Sequence, residues 1–229
     1  KVISLNDFQA LAKKTLPTDI YEYVASGSDD EHTLSENRAA FKRVFLVPRM
    51  LRNVSKIDLS VRILGCDTSM PVLVSPAGVH QLVHPAGEGA TARACAATGT
   101  IMGVSQHATM SLEDVAAAAP DGVRWFQLYL LKDRQLTVQI LRRAEAARYA
   151  AIVLTVDSAR FGTREADWRN SFNGLPAGLS LANYPTANGY GDRVRDSWDQ
   201  NSEKLLDATA TWEDVSWLRS LTRLPLLLK

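Results

Sequence analysis

Apolar and polar positions follow a regular pattern from about residue 70 to the end of the chain. Short segments that are almost wholly apolar alternate with longer segments in which apolar residues recur every three or four positions. The first kind of segment predicts a buried strand and the second an amphipathic helix. Near-continuous apolar strands that alternate with helices are typical of a parallel sheet covered by helices. The pattern therefore predicts an α/β fold built from βα repeats.

Five strands are predicted in this region, with one helix between each strand and the next. The strands are MPVLVSPAG, GTIMGVS, VRWFQLYL, AIVLTVD and LPLLLK, and the helices are GEGATARACAAT, SLEDVAAAA, DRQLTVQILRRAEAARY and TWEDVSWLRSLT. Three of these helices begin with residues suited to N-capping: Ser111 with Asp114, Asp133, and Thr211 with Asp214.

The remaining segments carry weaker signals. Residues 5–25 and 30–43 are predicted as helices, and the chain between them and residue 65 is predicted as extended, with Pro48 and Gly65 as breaks. A stretch from about residue 158 to residue 210 is rich in Gly, Asn, Asp and Ser, and it is too long for an ordinary connection from strand to helix. We predict that it forms a mobile loop or insertion.

Two architectures fit this pattern: a doubly wound sheet and a (β/α)8 TIM barrel. The G-x-G-x-x-G fingerprint of a dinucleotide-binding doubly wound fold follows none of the predicted strands. The strand ends are instead polar, a property shared by Ser75, Ser105, Gln127, Tyr129, Thr155, Asp157 and Lys229. In a barrel these carboxyl ends converge on the face that holds the active site. The pattern favours a (β/α)8 TIM barrel of which this chain supplies the N-terminal helices and about five strands.

Composition and charge exclude several classes of function. The 229 residues carry a net charge of +1, so no strong field favours nucleic acid or an anionic membrane surface. Cys66 and Cys95 lack CxxC spacing and the four histidines lack HxxxH spacing, so neither a disulfide framework nor a metal site is predicted. No apolar run is long enough to span a bilayer, and the amino end is unlike a secretory signal. We expect a protein of a reducing compartment.

A set of motifs runs over nearly the whole chain: IYEYVASGSDDEHTLSENRAAF, PRMLRNVSKIDLS, MPVLVSPAG, HPAGEGATARA, RWFQLYL, LTVDSARFGTREADWRN and LPLLLK. Together they resemble the FMN-dependent 2-hydroxy acid oxidase and dehydrogenase family, and FQLY followed by LTVD and READ is the most specific combination. The resemblance is nearest to the eukaryotic glycolate and long-chain hydroxy acid oxidases. It implies that residues 1–229 are the N-terminal part of one FMN-dependent domain, with the barrel beginning near residue 70.

The resemblance implies which residues bind the cofactor. Six residues correspond to FMN contacts of the family: Ala77, Gly78, Ser105, Gln127, Thr155 and Lys229. Among these, Lys229 corresponds to a lysine at flavin N1 and O2, where a fixed cation stabilises the negative charge of reduced flavin.

The resemblance also implies substrate-binding and catalytic residues. Tyr23 and Arg164 correspond to groups that bind the substrate carboxylate, and a planar guanidinium can do so with two parallel hydrogen bonds. Tyr129 corresponds to the hydroxyl that bonds the substrate's oxygen, and Asp157 to the carboxylate that stabilises the charged form of the catalytic histidine. His107 stands where many relatives have Trp or Tyr, so the implied substrate pocket differs in size and polarity.

The family's catalytic histidine and its flavin phosphate site lie beyond the segment that matches Lys229. None of His32, His80, His84 and His107 corresponds to that histidine. The resemblance therefore implies that a C-terminal barrel segment is a required partner and that these residues alone do not turn over.

Three functions stay open at this point. The first is an (S)-2-hydroxy acid oxidase that forms the 2-oxo acid while molecular oxygen becomes hydrogen peroxide. The second is a dehydrogenase of the same family that passes electrons to a cytochrome or quinone, and the third is a non-catalytic half-barrel that binds a partner. The resemblance further implies a homo-oligomer, specifically a tetramer, and a peroxisomal location in a eukaryote or a cytoplasmic one otherwise. Taken singly, Gln127 and Tyr129 could be ordinary strand residues and Arg164 a solvated loop charge.

Overall fold

The computed structural model describes residues 1–158, 162–185 and 204–229. The chain divides into two compact units, one formed by residues 1–58 with 162–173 and the other by residues 59–161 with 174–229. The first unit contains helices, and the second contains the sheet.

The α-helices of the described residues are, in chain order, α1 (Leu5–Thr15), α2 (Thr18–Ala25), α3 (His32–Ala39), α4 (Gly87–Thr98), α5 (Leu112–Ala118), α6 (Arg134–Ala146), α7 (Glu165–Arg169) and α8 (Trp212–Leu221). Short 3-10 helices cover Ala40–Arg43 and His80–Leu82. Helices α1, α2, α3 and α7 belong to the first unit. Within the described part of the chain, no helix is both long enough and apolar enough to cross a membrane.

The strands of the second unit form two sheets. Strands β1 (Val61–Ile63) and β2 (Cys66–Thr68) make an antiparallel hairpin. A five-stranded sheet contains the others, which are β3 (Val74–Ala77), β4 (Met102–Ser105), β5 (Arg124–Tyr129), β6 (Ala151–Thr155) and β7 (Leu226–Leu228). All four neighbouring pairs in this sheet are parallel. The five strands predicted from the sequence are confirmed.

The order of strands in the sheet distinguishes the two candidate architectures. The strands lie side by side in chain order, β3-β4-β5-β6-β7, and one of α4, α5, α6 and α8 lies between each strand and the next along the chain. A doubly wound sheet reverses its strand order at a switch point, whereas a (β/α)8 barrel keeps chain order throughout. The described sheet therefore has the winding of a barrel.

One face of the sheet is apolar at the amino ends of its strands and polar at their carboxyl ends. Trp125, Ala151 and Val153 form a buried cluster on this face, and Ile63 of the hairpin packs against it. Successive side chains of a strand alternate between faces, so Gln127 lies on the same face as Trp125, two residues further on. The hairpin therefore covers the apolar half of this face, and the polar half lies beyond it.

The structure corrects the prediction of one helix over residues 5–25. The chain forms α1 and α2 instead, and Leu16 between them is extended, with φ −78° and ψ 148°. The cause is Pro17, which has no N–H to donate and disfavours helical backbone in the residue before it. Prediction also missed the hairpin, whose turn at Leu64 and Gly65 has positive φ at both positions. That backbone is typical of a two-residue hairpin turn.

The predicted helix caps are largely confirmed. Asp133 accepts a hydrogen bond from the backbone N–H of Leu136 at 3.0 Å, and Thr211 with Asp214 forms a complete capping box. Ser111 accepts from the backbone N–H of Asp114 at 3.0 Å, but the Asp114 carboxylate accepts from the Ser111 hydroxyl at 2.7 Å, so this box is only half formed. The caps explain why α5, α6 and α8 begin where they do.

The stretch predicted as a mobile loop or insertion contains ordered and buried residues where it is described. Asn183 is 0% exposed and Tyr184 is 4% exposed, and both lie in the second unit. Residues 159–161 and 186–203 of the stretch lie outside the described residues. The loop-like composition of the stretch therefore gave no indication of the buried segment near residue 184. The mobility of the rest of the stretch stays a prediction.

Candidate active site

A row of hydrogen-bonded polar side chains crosses the carboxyl ends of three neighbouring strands. The Ser105 hydroxyl donates to Gln127 Oε1 at 3.1 Å, and Gln127 Nε2 donates to Thr155 Oγ1 at 2.9 Å. All three side chains are buried, with Gln127 only 2% exposed. Gln127 is therefore held at both ends of its amide, which fixes the orientation of its oxygen and nitrogen.

The register of the sheet explains why these three residues meet. Ser105 pairs with Gln127 across β4 and β5, and Tyr129 pairs with Thr155 across β5 and β6. Residues two apart on a strand share a face, so Gln127 and Thr155 lie diagonally on one face, within reach of a long amide side chain. The sequence prediction that these strand ends converge is confirmed for these residues.

Lys229 lies next to this row. Its backbone N–H donates to the carbonyl of Leu154 at 2.8 Å, and its carbonyl accepts from the N–H of Val156 at 2.8 Å. These bonds continue the parallel pairing one residue past β7 and bring Lys229 to the level of Thr155. The exposed Lys229 thus adds a cation at the carboxyl end of the strand beside the polar row.

Ala77 and Gly78 lie at the end of β3, where the chain passes close to the residues after β4. A side chain on Gly78 would bring its Cβ to 3.0 Å from the carbonyl oxygen of His107. The N–H of Val79 donates to that same carbonyl at 3.0 Å. Packing alone therefore favours a glycine at position 78, and a cofactor contact there stays a prediction. Ala77 is exposed and presents only a methyl group.

His107 and Tyr129 pack against each other at the ends of β4 and β5. Their ring centroids are 4.5 Å apart, and His107 Nε2 lies 2.8 Å from the hydroxyl of Tyr184. Burial lowers the pKa of His107 from 6.5 to about 4, so the imidazole is neutral near pH 7. His107 therefore forms an uncharged, hydrogen-bonded wall beside Tyr129.

Gln106 connects this group to the rest of the unit, and the sequence analysis did not identify it. Its Oε1 accepts from the backbone N–H of Tyr129 at 2.7 Å, and its Nε2 donates to the Tyr184 hydroxyl at 3.0 Å. Its carbonyl accepts from Asn183 Nδ2 at 3.1 Å. Gln106 is 0% exposed. Gln106 could have been predicted as a site residue, because it directly follows Ser105 at a polar strand end. Nothing in the sequence around Tyr184 indicates that Tyr184 is buried.

Asp157 follows β6 and is exposed. It accepts a hydrogen bond from the Ser158 hydroxyl at 3.3 Å. The pKa of Tyr129 is raised, first by burial of the phenol and second by the negative charge of Asp157. The electrostatic effect shows that Asp157 lies near enough to influence the predicted catalytic hydroxyl and that Tyr129 stays protonated near neutral pH.

The first unit brings together the two predicted carboxylate binders, Arg164 and Tyr23. An Arg164 nitrogen, Nη2, donates to the backbone carbonyl of Tyr23 at 2.5 Å, and the guanidinium lies 5.0 Å from the centre of the Tyr23 ring. Arg164 also pairs with Asp167 through Nε at 2.6 Å and Nη2 at 3.2 Å. Asp167 is 3% exposed, so this ion pair is largely buried.

Asp167 was missed by the sequence analysis, although READ places it three residues after Arg164 at the start of a helix. That spacing puts the two side chains on one face. The arrangement shows that Arg164 is an oriented guanidinium and not a solvated loop charge. Its role toward a substrate carboxylate stays a prediction.

The described residues fit the ring system of FMN by their chemistry. The flavin edge carries carbonyl oxygens and ring nitrogens that both donate and accept hydrogen bonds. Hydroxyl and amide groups of the Ser105–Gln127–Thr155 row can complement both kinds of atom. Lys229 adds a positive charge suited to the electron-rich reduced ring, and the small residue Ala77 leaves the end of β3 open to approach.

Comparison with known proteins identifies the family. The sequence profile of FMN-dependent dehydrogenase matches residues 12–229. The chain is 47% identical over 231 residues to glycolate oxidase 5 of Oryza sativa subsp. japonica, and 45% identical over 231 residues to the glycolate oxidase of Spinacia oleracea. Each alignment covers 100% of this chain and 62% of the relative. The chain thus spans less than two thirds of the length of the curated relatives it matches.

Solved structures agree with this result. A crystal structure of mandelate oxidase aligns with a TM-score of 0.87 at 37% identity, covering 100% of this chain and 62% of that chain. Another, with (S)-4-hydroxymandelic acid, aligns with a TM-score of 0.88 at 37% identity, covering 99% of this chain and 63% of that chain. The predicted α/β class and the barrel from which the five strands come are confirmed, and FMN is the indicated cofactor. This chain belongs to the FMN-dependent dehydrogenase family.

Proposed function

We propose that the whole protein oxidises a 2-hydroxy acid to the corresponding 2-oxo acid with FMN as cofactor and molecular oxygen as the final acceptor. The substrate loses two electrons and two protons, and oxygen takes up both to become hydrogen peroxide. The observation that carries the proposal is the fixed row of Ser105, Gln127 and Thr155 beside the cation of Lys229, in a chain whose family is FMN-dependent.

Bound FMN supplies the acceptor for the electron pair that leaves the substrate α-carbon. The chain's own residues bind and orient. Ser105, Gln127 and Thr155 hold the polar edge of the ring, and Lys229 contributes a positive charge where negative charge develops on reduction. These roles are proposed from the resemblance and from the hydrogen bonds between the side chains.

The proposed substrate contacts are those that the family resemblance implies, each considered with its own neighbours. Arg164 binds the substrate carboxylate with a guanidinium already oriented by Asp167, and Tyr23 assists. The protonated hydroxyl of Tyr129 donates to the substrate's oxygen. Asp157 stabilises a positively charged base that takes the hydroxyl proton. His107 is neutral and buried, so it contributes to the shape and polarity of the pocket.

We further propose that activity needs the remaining strands of the barrel, because eight strands close such a barrel and the described sheet has five. We also propose that the protein forms a homo-oligomer and that, in a eukaryotic source, it is peroxisomal. Both proposals rest on its similarity to relatives named as glycolate oxidases. The 229-residue polypeptide assayed alone is expected to give no 2-oxo acid, and turnover by it would contradict this requirement.

The deciding experiment separates an oxidase from a dehydrogenase and from an inactive protein. The whole protein is incubated with FMN, oxygen and either glycolate or a longer 2-hydroxy acid, and both 2-oxo acid and hydrogen peroxide are quantified. An oxidase forms the two products in equal amounts. Formation of 2-oxo acid only when a cytochrome or quinone is added would favour the dehydrogenase, and no product with any acceptor would favour a non-catalytic role.

A further inference from the structure

Gln106, His107 and Tyr129 form a closed ring of contacts that passes through the hydroxyl of Tyr184. Gln106 Oε1 accepts from the backbone N–H of Tyr129 at 2.7 Å, and Gln106 Nε2 donates to the Tyr184 hydroxyl at 3.0 Å. His107 Nε2 lies 2.8 Å from the same hydroxyl, and the His107 ring packs against the Tyr129 ring with centroids 4.5 Å apart. Tyr129 is therefore contacted at its backbone and at its ring by two residues that share one partner oxygen.

The donors and acceptors of this ring of contacts follow from its chemistry. A backbone N–H can only donate, so the Gln106 atom that faces Tyr129 is the amide oxygen, and the one that faces Tyr184 is the amide nitrogen. The Tyr184 oxygen thus accepts from Gln106 and keeps its single O–H for a further bond. His107 Nε2 is within reach of that O–H.

The neutral imidazole of His107 has two tautomers, which differ in the nitrogen that carries the proton. Burial lowers the pKa of His107 to about 4, and burial raises the pKa of Tyr184 well above its usual value, so the ring is neutral and the phenol keeps its proton. If Nε2 carried the proton, it and Gln106 would both donate to Tyr184, and the buried O–H would lose this acceptor at a cost in free energy. The favoured tautomer therefore has its proton on Nδ1 and a bare Nε2 that accepts from Tyr184.

The backbone that carries Tyr184 is fixed by its neighbour Asn183, which is 0% exposed. Asn183 Oδ1 accepts from the N–H of Leu112 at the start of α5, and its carbonyl accepts from Arg143 Nη1 of α6, both at 2.9 Å. Arg143 also donates two hydrogen bonds of 2.8 Å to the Glu113 carboxylate. The Tyr184 hydroxyl is therefore held in advance by two helices, as a group that orients a neighbouring side chain must be.

We propose that Tyr184 is a positioning residue of the candidate active site, whose hydroxyl fixes the tautomer and pose of His107 and, through His107, the ring of Tyr129. The inference rests on the proposed function, because it takes the Tyr129 phenol as the group that bonds the substrate's oxygen. It adds that the direction of this phenol is set by Tyr184 and not by β5 alone. Such control matters because a misplacement of about 1 Å at a reacting centre can cost on the order of 10²-fold in rate.

Tyr184→Phe tests the proposal, because it keeps the ring and removes only the O–H. In the whole, FMN-loaded protein we expect kcat for a 2-hydroxy acid to fall about tenfold, while FMN affinity stays unchanged. The informative comparison is the double variant with Tyr129→Phe. If Tyr184 acts through the Tyr129 hydroxyl, Tyr184→Phe causes no further loss of kcat once that hydroxyl is gone. Losses that multiply in the double variant would overturn the proposal.

Tyr149→Phe is the matched control for the loss of a buried hydroxyl. Tyr149 is 2% exposed and donates to the carbonyl of Leu112 at 2.9 Å, so its removal should lower the melting temperature about as much as Tyr184→Phe does. Tyr149 packs against Phe126, whose side chain lies on the face of β5 opposite Gln127, so kcat should stay unchanged. An equal loss of kcat in the control would show general destabilisation and overturn the proposal.

A spectroscopic measurement tests the same contact without turnover. Nitrogen-15 NMR of the whole, FMN-loaded protein labelled at histidine distinguishes a protonated ring nitrogen from a bare one, and His107→Gln identifies the His107 signals by their loss. We expect a bare Nε2 and a protonated Nδ1 in the unaltered protein, and a shift of both signals in Tyr184→Phe. A protonated Nε2, or signals that do not move in Tyr184→Phe, would overturn the proposal and leave the proposed function standing. If the unaltered protein oxidises no 2-hydroxy acid, the proposed function falls and the role of Tyr184 in catalysis falls with it, while the NMR result still decides whether Tyr184 fixes His107.

Discussion

Nε2 of His107 lies 2.8 Å from the hydroxyl of Tyr184, and both side chains are buried. The two residues are far apart in sequence, and one follows a strand while the other lies in a stretch whose composition is typical of a loop. Their contact ties the wall of the candidate site to the segment around residue 184. It also keeps a titratable ring in a place where water cannot solvate its charge.

The buried His107 predicts a specific dependence of stability on pH. Its pKa is about 4 in the folded protein and ordinarily 6.5, so the unfolded chain binds a proton more readily between these values. The free energy of unfolding should therefore fall as the pH is lowered from 6.5 toward 4, and His107 should account for about 3 kcal/mol of that fall. His107→Gln, which cannot titrate, should lose this component. Urea unfolding of both proteins at several pH values measures it, and identical pH profiles would contradict the assignment.

The hydroxyl of Tyr129 is predicted to act on the substrate and not on the cofactor. Tyr129→Phe keeps the ring contact with His107 and removes only the donor, so kcat should fall on the order of 10²-fold. FMN binding, followed by flavin fluorescence, should be unchanged. If FMN affinity fell as steeply as kcat, the residue would belong to the flavin site instead.

The positive charge of Lys229 is predicted to favour the reduced flavin. Lys229→Met should make the flavin harder to reduce, seen as a lower midpoint potential, and should slow reduction by substrate by about tenfold or more. Lys229→Arg keeps the charge, so its flavin midpoint potential should lie between that of Lys229→Met and that of the unaltered protein. A potential that is the same in all three proteins would show that the ammonium group does not act on the ring.

The buried pair of Arg164 and Asp167 can be tested by a thermodynamic cycle. Arg164→Met leaves the Asp167 carboxylate buried without its cation and should lower the free energy of unfolding by about 3–5 kcal/mol. Combining it with Asp167→Leu should recover a large part of this loss, because no unpaired charge then stays buried. Urea unfolding of the two single variants and the double variant gives the coupling. Purely additive effects would mean that the pair does not hold the segment together.

The sheet was predictable because its signals are local and redundant. Each strand is a short apolar run, and the helices between strands begin with capping residues such as Asp133 and Thr211. The convergence of Ser105, Gln127 and Thr155 followed from the parallel arrangement, since carboxyl ends of parallel strands lie at one edge. The break at Pro17 is also encoded locally, although the apolar pattern on either side of it is that of one longer helix.

Other parts of the site depend on contacts that a linear pattern does not reveal. Gln106 meets Tyr129 on the next strand and Tyr184 across a long sequence separation. The bridge between Leu131 and Leu206 likewise joins two segments with no sequence pattern in common. Asp167 is partly predictable. The sequence shows its three-residue spacing from Arg164 but does not show that its carboxylate is buried.

The central claim is that FMN in the whole protein accepts electrons from a 2-hydroxy acid. The most direct measurement is the visible flavin spectrum of the purified whole protein without oxygen, before and after addition of glycolate and of 2-hydroxyoctanoate. We predict that the absorbance of oxidised flavin is lost on addition of 2-hydroxy acid and returns when oxygen is admitted. Flavin-loaded protein that keeps its oxidised spectrum with every 2-hydroxy acid tested would contradict the claim.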